Sequence, residues 1–389
     1  MKIECSIPSW DCAGQPVFVR ADLNVPLAHG TILNDRRLRG LQDTLNLLIQ
    51  KQAIIILASH IGRPQAHEPE LSTRILLAWF EKEGYAIQFC ETIEQVKHKE
   101  KTAKAGSILL LENLRFFPGE KERDAAFIKT LRSLAKWYVN DAFGSLHRDD
   151  ASLADLAVLF SPQNRSIGCL VEKELKMLNR FLHTAKKPVC AIIGGGKVAD
   201  KLPLINNLLE ISDYILLGPA LVFTFDLAKQ RSVGLSLVDQ SAVNKARAIL
   251  KKAELMNVSI VFPVDYQIAL DSIDGPLSIV EPENFPENGI GISIGPKTVA
   301  LFNEYITKSG SIFYNGMIGF SNRPKTLDGV KQLLTDISHS NAMSIIAGGD
   351  SIAIADQLKL TSITYYSTGG GATLTYLSGK KLPGLEPFY

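Results

Sequence analysis

The chain has 389 residues, 46% of them apolar, and carries 42 lysines and arginines against 40 aspartates and glutamates for a net charge of +2. That length exceeds one typical hydrophobic core, so two domains are expected. The balanced charge excludes a strong overall field for nucleic acid or an anionic membrane, so any basic site must come from local clustering. The five cysteines (Cys5, Cys12, Cys90, Cys169, Cys190) are odd in number, scattered, and lack CxxC or metal-ligand spacing. This is the pattern of reduced thiols in a cytoplasmic protein.

The opening Met1-Lys2-Ile3-Glu4 carries no apolar signal region, and no apolar run approaches the length of a membrane span. Strands are expected at Pro16–Arg20, Ile54–Ala58, Ala86–Cys90, Ser107–Leu111, Trp137–Asp141 and Leu156–Phe160, with helical periodicity in Arg37–Lys51, Ser72–Glu83 and Asp124–Lys136. Glu172–Leu182 reads as an amphipathic connecting helix. A second series of strands follows at Val189–Ile193, Tyr214–Leu217, Ser259–Pro263, Ser311–Asn315, Ser344–Ala347 and Ile363–Tyr366. Helices fit between them, and the Pro- and Asp-rich stretch 271–288 reads as a surface excursion. Alternation on this spacing predicts an α/β fold with mostly parallel sheets covered by helices.

In such sheets ligands bind beyond the carboxyl ends of the strands, so the residues after each strand carry the functional argument. In the first half those are Arg20, Asp22 and Asn24, then His60 and Arg63, then Glu112, Asn113 and Arg115, then Asn140, Asp141, His147 and Arg148. A cation at each of four strand ends predicts a small, multiply anionic ligand, because the guanidinium fork matches phosphate and carboxylate oxygens. In the second half the strand ends are glycine-rich: Gly194-Gly195-Gly196-Lys197, Gly348-Gly349-Asp350-Ser351 and Gly369-Gly370-Gly371. Glycine turns opening onto helices offer amides to phosphate. Lys197 and Lys201, four apart, would share one helix face.

The first of these turns also fits a plain strand-to-helix turn with two solvated lysines. It is not a Walker A loop, since Val198 stands where that motif needs Ser or Thr. Asp350 is a hard carboxylate at a helix start, suited to magnesium. Arginines for a small anion and glycine turns for a nucleotide together predict phosphoryl transfer.

The ordered segments Val17-Phe18-Val19-Arg20-Ala21-Asp22-Leu23-Asn24, Ser59-His60-Ile61-Gly62-Arg63-Pro64, Leu111-Glu112-Asn113-Leu114-Arg115, Gly195-Gly196-Lys197-Val198, Pro263-Val264-Asp265 and Gly379-Lys380-Lys381-Leu382-Pro383-Gly384 resemble those of phosphoglycerate kinases, end to end. The resemblance implies two Rossmann-like three-layer αβα domains, residues 1–168 and 169–374. A hinge helix of about 172–182 would join them, and a tail of about 375–389 would pack back on the first. It implies reversible transfer between ATP and the carboxylate of 3-phosphoglycerate, giving ADP and 1,3-bisphosphoglycerate, with Mg2+ carried by the nucleotide, in a cytoplasmic monomer that closes by hinge bending.

On motif alignment, the 3-phosphoglycerate contacts fall on Asp22, Asn24, Arg37 (preferred to Arg36 by its spacing to Leu38 and Thr44), His60, Arg63, Arg115 and Arg148. Nucleotide contacts fall on Lys197, Lys201, Asn315, Asn322, Gly348, Gly349, Asp350 and Ser351, with Asp350 nearest the metal. Arg37, Lys197, Gly348 and Gly371 are the expected catalytic set. This chain departs from the family pattern at Pro219, Ser293, Asn322 (usually glutamate) and Ala347, all on the nucleotide side, and at Asp150 on the other. The alternative these departures raise is a weakly active or non-catalytic 3-phosphoglycerate-binding protein.

Overall fold

Runs such as Ile54-Ile55-Ile56-Leu57 are apolar without alternation, which a strand covered on both faces can bury. The computed structural model describes residues 3–389; Met1 and Lys2, which open the expected first domain, lie outside the described residues. Two units separate, the first formed by the described residues up to Lys176 together with Lys381–Tyr389, the second by Met177–Lys380.

The first unit holds a parallel six-stranded sheet in the spatial order Ile87–Cys90, Ile108–Leu111, Ile54–Ala58, Pro16–Ala21, Trp137–Asp141, Arg165–Ile167. Val17 and Val19 face one core with Leu38, Leu41, Leu45 and Leu48 of the helix Arg36–Gln50, while Phe18 faces the other with Tyr138 and Leu131. The strand order reverses between Pro16–Ala21 and Trp137–Asp141. There the register sets Arg20 beside both Ala58 and Asn140, so Asp22, Ser59 and Asp141 emerge along one edge.

The second unit repeats the plan in the order Ser259–Val261, Tyr214–Leu217, Val189–Ile193, Ser311–Asn315, Met343–Ala347, Tyr365–Ser367, again all parallel. Ile193 pairs with Leu217 and Asn315, and Asn315 with Ala347. The next residue of each strand is therefore a glycine: Gly194, Gly218, Gly316 and Gly348 form one row.

Two sequence expectations are corrected. Leu156–Phe160 is not a strand; Leu156, Ala157 and Phe160 enter one core while Val158 and Leu159 are exposed, a helical spacing, and the helix spans Asp155–Val158. The sixth strand is instead Arg165–Ile167. The stretch 271–288 is more than a surface excursion, since Leu277–Val280 pairs antiparallel with Tyr266–Leu270, which also pairs with Gly289–Ile294. That strand is only half-buried, so its sequence shows little apolar signal.

The connecting helix runs Cys169–Thr184. Its first turn is capped from inside the first unit: the Val171 amide donates to Asp141 Oδ1 at 3.1 Å and the Cys169 amide to Thr44 Oγ1 at 2.8 Å. At the other end of the chain, the Gly384 amide donates to the Leu146 carbonyl and Asn140 Nδ2 to the Gly384 carbonyl. This holds the tail from Lys381 in the first unit, whereas Thr375–Lys380 stay with the second. Among the described residues no helix is long and apolar enough to cross a membrane.

Candidate active site

In the first unit the strand-end residues form a side-chain network. Arg20 was expected among the ligand-facing cations, but it is fully buried. Its Nε donates to Ser152 Oγ at 2.8 Å, one terminal nitrogen to the Ala21 carbonyl at 2.6 Å, and the other meets His60 Nδ1 at 3.1 Å. The nearby carboxylate is the buried Glu120, 4.0 Å away, which accepts from Ser152 Oγ at 2.6 Å. Burial raises its pKa to about 7, against the pull of Arg20. A guanidinium can only donate, so His60 Nδ1 is the acceptor and Nε2 carries the proton. Burial, followed by the charges of Arg20, Arg115, Arg148 and Arg37, holds His60 well below the usual histidine range, so the ring is neutral at neutral pH.

The remaining cations gather around that ring. Arg37 donates to Asp22 Oδ1 at 2.6 Å, and Asp22 is itself buried. Asn24 Oδ1 accepts from the Gly62 amide at 2.9 Å, which fixes the left-handed turn at Gly62 ahead of the exposed Arg63. Arg115 is nearly buried and donates to the Gly62 carbonyl. Its Nε and one terminal nitrogen make no hydrogen bond, and that terminal nitrogen is ion-paired with Asp150 Oδ2 at 3.7 Å. Burial and then Arg148 lower its pKa to about 10, which leaves it charged at neutral pH. Buried guanidinium donors beside like charges suit an anion with several oxygens.

The second unit builds its candidate site from backbone. The Gly194 amide donates to the Asn315 carbonyl at 3.0 Å and the Gly195 amide to the Pro219 carbonyl at 2.8 Å, so proline at that departure still serves the turn. Gly316 has φ +105°, and a Cβ there would collide with the Gly194 carbonyl and the Lys201 ammonium. The expectation that Lys197 and Lys201 share a helix face is corrected. The helix Val198–Leu208 begins after Lys197, which is exposed at its N-cap, whereas Lys201 is buried. Lys201 donates to the Gly194 carbonyl and, at 3.1 Å, to Asn315 Oδ1. Burial lowers its pKa to about 8.

Asn315 Nδ2 in turn donates to the Ala347 carbonyl at 3.0 Å, tying two glycine turns together. Gly348 caps the helix Gly349–Gln357 with φ +105°; Asp350 is exposed in its first turn, and Ser351 Oγ is buried without a partner. Gly371 opens the helix Gly371–Leu377, and Asn322 is exposed in the loop after Gly319.

Asp22, Asn24, Arg37, His60, Arg115 and Arg148 are thus brought together in one unit, with Arg63 at its surface. The glycine row, Lys201, Asn315 and Ser351 converge in the other, with Lys197, Asp350 and Asn322 exposed. Sequence reasoning missed Glu120 and Ser152, the pair that holds Arg20 and through it His60. Pro118-Gly119-Glu120-Lys121 reads as an ordinary turn, and nothing in its spacing marks Glu120 as buried.

A family model described as Phosphoglycerate kinase matches residues 7–380. The chain belongs to the phosphoglycerate kinase family. It is 37% identical over 382 residues to the phosphoglycerate kinase of Dictyoglomus turgidum (strain DSM 6724 / Z-1310), covering 96% of each. It is 38% identical over 383 residues to that of Clostridium botulinum (strain Alaska E43 / Type E3), again covering 96% of each. The solved structure of phosphoglycerate kinase from Coxiella burnetii is similar with a TM-score of 0.84 at 31% identity, over 98% of this chain and 97% of that one. The family's doubly wound α/β architecture is the one described above.

Proposed function

We propose that the chain catalyses reversible phosphoryl transfer between ATP and the carboxylate of 3-phosphoglycerate, giving ADP and 1,3-bisphosphoglycerate. The observation that carries this reading is the ring of guanidinium groups around the neutral, buried His60, with the nearly buried Arg115 among them. That environment suits a ligand bearing both a phosphate and a carboxylate. Arg115, Arg148, Arg63 and the His60 Nε2 proton hold the distal phosphate, and Asn24 faces a substrate hydroxyl. Arg37, oriented by Asp22, meets the reacting carboxylate.

A carboxylate is ionised at neutral pH, so no general base is needed, and the barrier is chiefly charge repulsion with the triphosphate. Lys197 and the Gly348 and Gly371 amides neutralise the transferring phosphoryl. Lys201, Asn315, Asn322, Gly349 and Ser351 hold the nucleotide.

Among the described residues no group of three or more His, Cys, Asp or Glu could hold a metal by itself. An exposed Asp350 beside a free Ser351 hydroxyl fits magnesium that arrives on nucleotide phosphates and keeps most of its waters. When bound, that ion supplies charge neutralisation between the phosphates. In-line transfer with water excluded needs both substrates together, so the reading includes closure by bending at the connecting helix. It also includes a cytoplasmic monomer, as the five free thiols favour.

A coupled assay with ATP and 3-phosphoglycerate, run beside GTP, tests the reading. Turnover that requires 3-phosphoglycerate is expected; binding of 3-phosphoglycerate without turnover on any nucleoside triphosphate would overturn it.

A further inference from the structure

The five cysteines are scattered in sequence, yet the fold brings two of them together. The Cys5 amide donates to Glu172 Oε1 at 2.9 Å and the Ser6 amide to Ser166 Oγ at 2.8 Å. Ser166 and Glu172 flank Cys169 at three residues on either side, so these two bonds lay the N-terminal segment across it. The Cys5 and Cys169 side chains are close enough for each to shift the other's acidity. Both are part-exposed, whereas Cys12, Cys90 and Cys190 are buried. We propose that Cys5 and Cys169 form a modification site, a dithiol that a peroxide converts reversibly into a disulfide.

The two sulfurs are not equivalent. Cys169 is the first residue of the sixteen-residue helix Cys169–Thr184, where backbone amides favour a thiolate. The neighbouring Cys5 side chain lowers the Cys169 pKa, with Thr44 also lowering it, and Cys169 in turn raises that of Cys5. Cys169 is therefore the attacking thiolate and Cys5 the resolving thiol. The Cys169 thiolate attacks one oxygen of hydrogen peroxide, breaking the O–O bond and releasing hydroxide, and becomes a sulfenic acid. Cys5 then attacks that sulfur, forming the S–S bond, and its proton leaves with the displaced hydroxyl as water. Overall, two thiols and one peroxide give one disulfide and two waters. The link ties the N-terminal segment to the start of the connecting helix and closes a loop spanning most of the first unit, a constraint that falls mainly on the unfolded chain. The inference does not depend on the proposed activity.

The full-length protein, treated with hydrogen peroxide and then alkylated after unfolding, should lose two of its five alkylatable thiols and regain both on reduction. Peptide mapping without reductant should join the Cys5 and Cys169 peptides, and the oxidised protein should melt at a higher temperature. In Cys5→Ser, Cys169 should be trapped by a sulfenic-acid reagent. Cys5 and Cys169 both remaining alkylatable, a disulfide between other cysteines, or Cys169 in the native chain passing to sulfinic acid with Cys5 still free would each overturn the proposal.

Discussion

The two units handle anions in opposite ways. The first commits charged side chains that are buried or half-buried and held in place: Arg20 on His60, Arg37 on Asp22, and Arg115 on the Gly62 carbonyl. The second commits backbone, a row of glycines after neighbouring strands, with Lys197 and Asp350 left exposed. A side-chain site is preorganised by its burial cost and fixes the geometry of a small rigid ligand. A backbone site is indifferent to what lies beyond the phosphates, so it tolerates changes such as Pro219 and Asn322.

Gly316 is where the backbone site is tightest, and Gly316→Ala should break it. The added methyl collides with the Gly194 carbonyl and Lys201. A destabilisation of roughly 2–4 kcal/mol is expected, with ATP binding lost and 3-phosphoglycerate binding to the first unit retained. Thermal melts and calorimetry with each ligand check this; normal ATP affinity would mean that the row does not hold phosphate.

Lys201 sharpens the comparison through pH. Its folded pKa lies near 8, below the ordinary lysine value, so the amine is charged below that pH and neutral above it. Nucleotide KM should therefore rise roughly three- to tenfold between about pH 7 and pH 9, with the 3-phosphoglycerate KM following a different profile. Lys201→Met should flatten the nucleotide profile. The sign for stability also follows: a depressed lysine pKa means that folding costs more below pH 8 than above the unfolded value, so the buried ammonium is a cost the site carries at neutral pH.

The smallest expected effect belongs to Asn322→Glu. A carboxylate at this exposed position restores an acceptor for ribose hydroxyls and should lower the ATP KM about two- to fivefold, in keeping with roughly 0.5–1 kcal/mol for one added hydrogen bond. kcat should stay unchanged. An unchanged KM would place the nucleotide's sugar elsewhere.

Much of this was legible because the sequence repeats one grammar. Mostly apolar runs gave five of six strands in the first sheet, and the residues after four of those strands were the candidate ligand contacts. Illegible parts were those whose signal depends on a distant partner. Glu120 reads as a turn residue, and only Ser152 and Arg20, packed from elsewhere, make it a buried anchor. Lys201 reads as sharing a helix face with Lys197, because nothing local shows that Asn315 and the Gly194 carbonyl capture its amine. Leu277–Val280 hid as a strand because a half-buried edge needs few apolar residues.

The central claim is that the first unit's cations divide into those that grip a distal phosphate and one, Arg37, that meets the reacting carboxylate. Steady-state kinetics of Arg37→Ala test it most directly. The account predicts a kcat lower by about 10²–10³ with the 3-phosphoglycerate KM within about threefold of the unmodified chain. An unchanged kcat with a greatly raised KM would contradict it and return Arg37 to the phosphate-gripping set.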